Sequence, residues 1–311
     1  MIRPRIAAVC FVIALFGAAG CGALSPGEDE SIGPRSTTAA DGTTIDYEVA
    51  GGGSPALVFL HGWAADRGVW KKQFERFARS NRVIAIDLAR KNDAGGGRLD
   101  WSIDALAADV ASVLDHENLI GVVIVGHSLG AIVGIEAAAR EPNRVAAVVG
   151  IEALHDVERS QTAEVTKFVE QLERDWPGTI QQAVPRSFGP KADIGDVGRV
   201  VKSMKECDPA IGIALERSYA EFDFAAALDQ MQVPLRLINA RPTNIAVDRR
   251  HARDFSVVSM AGVGFFPMLE DPDTFAGVLV TVLEELRVKD WLGPQGAVPE
   301  RTGPSPLPKH E

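Results

Sequence analysis

The chain has 311 residues, 46% apolar and 24% charged, an ordinary globular composition with enough apolar material for one sizeable core. Its formal charge of −10 disfavours nucleic acid and anionic lipid surfaces as partners. Three cysteines are too few for a disulfide-stapled scaffold.

Arg3 and Arg5 give the chain a basic start, and residues 6–20 follow without a charge. That run is short for a bilayer span, which needs ~20 apolar residues, and it ends in small side chains, as secretory signals do. Ala18-Ala19-Gly20-Cys21 resembles the lipobox of bacterial lipoproteins. The resemblance implies that residues 1–20 are a signal peptide and that Cys21 carries a thioether-linked diacylglycerol. The mature protein is then exported and tethered to a membrane of the cell envelope, where stable anchoring takes more than one acyl chain. The competing reading is a signal cut elsewhere, with Cys21 a bystander. Cys10 lies in the signal, so lipidation of Cys21 leaves Cys207 alone, with nothing to pair in the mature chain. Residues 21–40, rich in Gly, Ser, Pro and acid, read as a flexible tether.

Beyond residue 41, short apolar runs alternate with helical patterns. Strands are predicted at residues 44–49, 56–60, 83–87, 121–125, 145–150, 235–239 and 255–260. Several are continuously apolar, as in strands covered on both faces. Ile103, Leu106, Ala107, Val110, Val113 and Leu114 follow helical spacing, with Ser102 placed to cap. Residues 131–140 form an Ala-rich helix that stops before Pro142. The repeated strand–helix–strand order predicts an α/β fold with a mostly parallel sheet flanked by helices. Residues 153–232 lack a strand pattern. Val165, Phe168, Val169 and Leu172 mark an amphipathic helix that Trp176-Pro177-Gly178 ends, and helical pattern returns over 211–231. This all-helical insertion reads as a cap over the active-site end of the sheet, dividing the core into 41–152 and 233–290. The last helix starts at Asp271-Pro272 and presents Phe275, Val278, Leu279, Val282, Leu283 and Leu286 on one face. Residues 291–311 are Gly/Pro-rich and read as a disordered tail.

Gly126-His127-Ser128-Leu129-Gly130 is a Gly-x-Ser-x-Gly sequence, weak by itself. Here a predicted strand runs directly into it and a predicted helix directly out. That is the context in which two small residues permit a sharp turn presenting the serine oxygen, with helix amides aimed at negative charge. His61-Gly62-Trp63 follows the strand at 56–60.

These features together resemble the α/β-hydrolase family, specifically its cap-bearing esterase and haloperoxidase-like branch, from about residue 44 to 286. The resemblance implies an α/β-hydrolase fold with Ser128 as nucleophile. It also implies an oxyanion hole built from the backbone N–H groups of Trp63 and Leu129. His61 reads as a histidine bracing that loop rather than transferring a proton. Branches with an Asp nucleophile are disfavoured by the serine, and the Gly-rich oxyanion sequence of hormone-sensitive-lipase relatives is absent.

The partners of the serine depart from the family pattern. The turn that normally carries the base reads Gly262-Val263-Gly264-Phe265-Phe266-Pro267-Met268-Leu269-Glu270-Asp271-Pro272, with Phe265 at the histidine position. The acid should follow the strand at 235–239, where the chain reads Ala240-Arg241-Pro242-Thr243-Asn244 and the next carboxylate is Asp248. The loop after Asp87 also lacks its usual Gly-His-Gly.

Two functions of different class follow. In one, the protein is a serine hydrolase acting on a small or medium acyl compound, with relocated partners: His155 as base and Glu152 as acid, Asp156 beside them. In the other it is a pseudoenzyme whose pocket binds a ligand or protein partner without turnover. His127 must point away from the serine, and His116, His251 and His310 lie in unsuitable places. The cap contributes Phe168, Trp176 and Phe188, which suits an apolar acyl group. No metal-ligand cluster or phosphate loop is visible, so neither metal nor organic cofactor is expected.

Overall fold

The computed structural model describes residues 33–88, 98–155, 162–243 and 254–288. Cys21, the signal, the tail, Asp93, Asp156, Asp248, His251 and His310 lie outside the described residues.

Eight strands form one sheet: β1 (Gly33–Thr38), β2 (Thr44–Ala50), β3 (Leu57–Leu60), β4 (Val83–Ile86), β5 (Val122–His127), β6 (Val145–Ile151), β7 (Leu235–Asn239) and β8 (Phe255–Ser259). Their order is β1-β2-β4-β3-β5-β6-β7-β8. The first two pair antiparallel, β2 meets β4 antiparallel, and every pairing from β4 to β8 is parallel. Helices α1 (Lys71–Phe77), α2 (Ile103–His116) and α3 (Leu129–Arg140) sit between the first six strands in sequence, and α9 (Pro267–Glu270) and α10 (Pro272–Val288) follow the last. Two apolar clusters fill the two sides of the sheet. One gathers α2 and α3, and the other α1 and α10. Residues 122–125 of β5, facing both, are wholly buried, which explains their unbroken apolar run. This is the α/β-hydrolase architecture that the sequence implied.

Ser102 caps α2 by accepting from Ala105 N at 3.1 Å, and Asp271 caps α10 by accepting from Thr274 N at 3.3 Å. Between β6 and β7 lies the helical insertion: α4 (Thr162–Arg174), α5 (Trp176–Ser187), α6 (Ile194–Glu206), α7 (Pro209–Glu221) and α8 (Phe224–Gln230). Four of these helices open on an aspartate (Asp175, Asp193, Asp208 and Asp223) whose carboxylate accepts backbone N–H groups of the first turn.

Two features differ from the expectation. Gly33–Thr38, assigned by composition to the tether, is an edge strand that pairs six residues with β2. Its half-exposed Arg, Ser and Thr side chains carry no apolar alternation. Its docking shows in Arg35, which donates to Glu117 at 2.7 Å beyond the end of α2. Trp176-Pro177-Gly178 also begins α5. Proline tolerates the first turn, where no intrahelical acceptor exists for an N–H, and Gly178 N donates to Asp175.

Candidate active site

Ser128 stands between β5 and α3 with φ 50° and ψ −115°, in the positive-φ region that L-residues avoid. Its neighbours enforce the turn. A Cβ on Gly126 would lie 2.3 Å from the carbonyl oxygen of Gly130, and a Cβ on Gly130 would lie 2.5 Å from that of His61. Only glycine fits at either position, so the elbow presses directly on the loop after β3. Ser128 N donates to Ile151 O at 2.9 Å, fixing the elbow beside the end of β6.

In that loop, Leu88 N donates to His61 Nε2 at 2.9 Å, which places the ring proton on Nδ1, donating to Gly62 O at 2.8 Å. Both nitrogens are thus committed to backbone, and His61 braces the loop. The Trp63 indole donates to Gly212 O of α7 at 2.7 Å, and its ring packs on Phe168 and Trp176 at 5.6 and 5.5 Å. The insertion is thereby latched to the loop. Among the described residues, the backbone amides of Trp63 and Leu129 donate to no protein acceptor.

Phe265 occupies the turn before α9. Its N–H donates to Ser187 O at 2.8 Å, and its carbonyl accepts from His127 Nε2 at 2.7 Å. Glu270 holds the turn by accepting from Gly264 N and Gly189 N at 2.9 Å and from Phe266 N at 3.2 Å. Glu270 is therefore a brace. His127 packs between Phe265 and Phe266, ring centroids 4.8 and 4.9 Å away, with Nδ1 buried and unpartnered. Burial pushes its pKa down to about 4, so the ring is neutral at pH 7. Its single proton is spent on Phe265.

Glu152, at the end of β6 with φ 48°, is buried and accepts from Ala240 N and, at 2.9 Å, from Arg241 Nε. Arg241 Nη2 also donates to His155 Nε2 at 2.9 Å, and His155 Nδ1 donates to Pro242 O at 3.3 Å. His155 and Glu152 are 3.6 Å apart. The two residues suggested as base and acid do come together, but a guanidinium covers the nitrogen a base would use. Burial and the Arg241 charge hold the His155 pKa below its ordinary value. Among the described residues, no imidazole is hydrogen-bonded to Ser128.

Half-buried Ser128 opens into two hollows. The larger, about 420 Å³, is lined by Trp63, Glu152, His155, Glu216, Tyr219 and Arg241 among others. The smaller, about 290 Å³, also reaches Trp63, Glu216, Arg241 and Phe265, and adds Phe168, Val184, Met204 and Phe266. Phe188 instead stacks on Phe266 at 4.5 Å. Glu216 and Tyr219 of α7 were not anticipated. Burial raises the Glu216 pKa to about 7, and burial together with the Glu216 charge raises that of Tyr219 to about 12. No sequence signal marked Glu216, since it follows by one turn a Gly212 whose bond to Trp63 is a tertiary contact.

The chain matches the alpha/beta hydrolase family over residues 57–278. It is 24% identical to a strigolactone esterase of Pisum sativum over 276 residues, covering 85% of this chain and 93% of the relative. It is 27% identical to a pimeloyl-[acyl-carrier protein] methyl ester esterase of Nitrosomonas europaea, covering 75% and 96%. Among solved structures it resembles a bromoperoxidase from Bacillus anthracis (TM-score 0.72, 17% identity, 80% and 100% covered). An esterase from Exiguobacterium antarcticum is similar to the same degree (TM-score 0.71, 17% identity, 80% and 98% covered).

Proposed function

The chain belongs to the alpha/beta hydrolase family, and on that premise we propose that it is a serine hydrolase of small or medium carboxylic esters, with Ser128 as nucleophile. The observation that carries this reading is the elbow: a serine at positive φ, accessible from two hollows, flanked by two amides with no acceptor among the described residues. The serine oxygen attacks the ester carbonyl, and charge moves to the carbonyl oxygen, where the N–H groups of Trp63 and Leu129 receive it. One such donor is worth ~2.7–4 kcal/mol in the transition state. The serine proton goes to His155 Nε2 once Arg241 releases the imidazole, with Glu152 at 3.6 Å from that nitrogen to stabilise the imidazolium. Activation is therefore weak. The two esterase relatives support an ester as substrate. A fluorophosphonate tests the reading: stoichiometric capture at Ser128 is expected, and an unlabelled serine would refute it.

A second reading has its own observation. Phe265 stands where the base is implied, residues 240–244 lack the implied acid, and Arg241 covers His155. The hollows then bind a ligand or partner without turnover.

For location we propose export and anchoring in the cell envelope through a lipid on Cys21. The reading rests on Ala18-Ala19-Gly20-Cys21 at the end of the apolar run. None of the described helices is long and apolar enough to cross a membrane. Cys21→Ser is expected to move the protein from the membrane to the soluble fraction; unchanged membrane association would contradict lipidation.

A further inference from the structure

Two polar groups of the larger hollow have no part in the chemistry at Ser128. Glu216 and Tyr219 lie three residues apart on α7, on one face, and both border the cavity. Neither side chain hydrogen-bonds or ion-pairs with any described residue. A carboxyl group withdrawn from water without a partner is costly, and a ligand supplying positive charge relieves that cost.

We propose that the larger hollow recognises the ammonium group of an amphiphilic ester whose apolar acyl chain enters the smaller hollow. The ester half of this proposal rests on the hydrolase reading above; the cation half stands on the hollow itself. Among the described residues that line the cavity, the one guanidinium, Arg241, is already committed to Glu152, which leaves Glu216 without a described partner. An anionic ligand would meet Glu216 and find Arg241 occupied. Trp63, Tyr219 and Phe224 add aromatic walls, to which cations are drawn by the negative ring faces. Arg241 itself lies 5.0 Å above the Phe265 ring, an internal instance of the same attraction. The smaller hollow, walled by Phe168, Val184, Met204 and Phe266, suits an acyl chain, and Ser128 sits where the two meet.

The cation binds the ionised carboxylate, so affinity follows Glu216 ionisation. With the free carboxyl at about 7, ionisation, and hence affinity, falls about tenfold from pH 8 to pH 6. Of the groups facing Glu216, burial holds the Tyr219 hydroxyl up at about 12, neutral through that window, and burial with the Arg241 charge holds the His155 pKa below its ordinary value. Glu152, bound to Arg241, and Glu164 border the same hollow.

Calorimetry on full-length Ser128→Ala, which cannot turn over its ligand, compares butyrylcholine with its neutral isostere 3,3-dimethylbutyl butyrate. The choline ester is expected to bind at least tenfold tighter at pH 8, to lose that margin at pH 6, and to lose it in Ser128→Ala/Glu216→Gln. Equal affinities, no binding of either ester, or a preference that survives Glu216→Gln would overturn the proposal. The pH series on Ser128→Ala alone decides the matter should the glutamine variant not fold. Since the serine hydroxyl is absent throughout, failure here leaves the hydrolase reading to be judged separately, by fluorophosphonate capture in the wild type.

Discussion

Burial opposes ionisation at His127 and Glu216 in opposite senses, and both groups contribute to the pH response of the fold. His127 has a folded pKa of about 4, below its unfolded value near 6.5. The unfolded chain binds the extra proton between those values, so this contribution is complete above pH 6.5 and is lost as pH falls toward 4, by up to ~3 kcal/mol. Glu216 has a folded pKa of about 7, above its unfolded value of 4.5. Its carboxyl is tolerated while protonated, and stability falls as pH rises from 4.5 through 7. The two slopes cancel in part between pH 4.5 and 6.5. Glu216→Gln removes one of them, so its melting temperature should climb with pH from 4 to 6.5 more steeply than the wild type's. At pH 8 it should exceed the wild type by about 3 °C or more. A variant that melts lower at pH 8 would contradict the assignment. Phe265 at the histidine position and the missing acid in residues 240–244 could be found in the sequence because the family resemblance fixes where base and acid belong. Glu216 could not, because its environment is assembled from Trp63, the insertion and the segment after β7. On its own helix it reads as an ordinary solvated acid.

The elbow depends on two elements meeting without side chains between them, and that makes Gly130 a sensitive position. A methyl there would stand 2.5–2.6 Å from the His61 and Leu60 carbonyl oxygens, both fixed backbone. Gly130→Ala should therefore cost at least ~2 kcal/mol in denaturant unfolding and abolish labelling of Ser128. Gly277 in α10 has open space around its Cβ position, and Gly277→Ala should gain ~0.4–1 kcal/mol by the same measurement. Strands β3 to β6 were legible because burial on both faces leaves a nearly unbroken apolar run, and β2 because its buried positions alternate. Edge strand β1 was not, since its pairing is a backbone matter and its side chains are half in water. The α4–α5 boundary misled for a related reason: proline and glycine mark both the end of one helix and the first turn of the next.

For the whole molecule, the parallel strands β3, β5, β6 and β7 end at one edge, where His61, Ser128, Glu152 and Ala240 follow them. Open α/β sheets place their ligands at that edge, and the insertion α4–α8 contributes Phe168, Glu216 and Tyr219 to the same place. Alternation of strands and helices carried this architecture in the sequence. The chemistry at the edge depends on tertiary contacts, above all the Arg241 bridge between Glu152 and His155, which no spacing reveals. The net charge of −10 directs a cation toward the molecule rather than an anion. The central claim concerns the serine. Steady-state hydrolysis of a short-chain 4-nitrophenyl ester by wild type and by Ser128→Ala tests it most directly. The account predicts slow turnover that falls at least tenfold in the variant, and equal rates in the two proteins would contradict it.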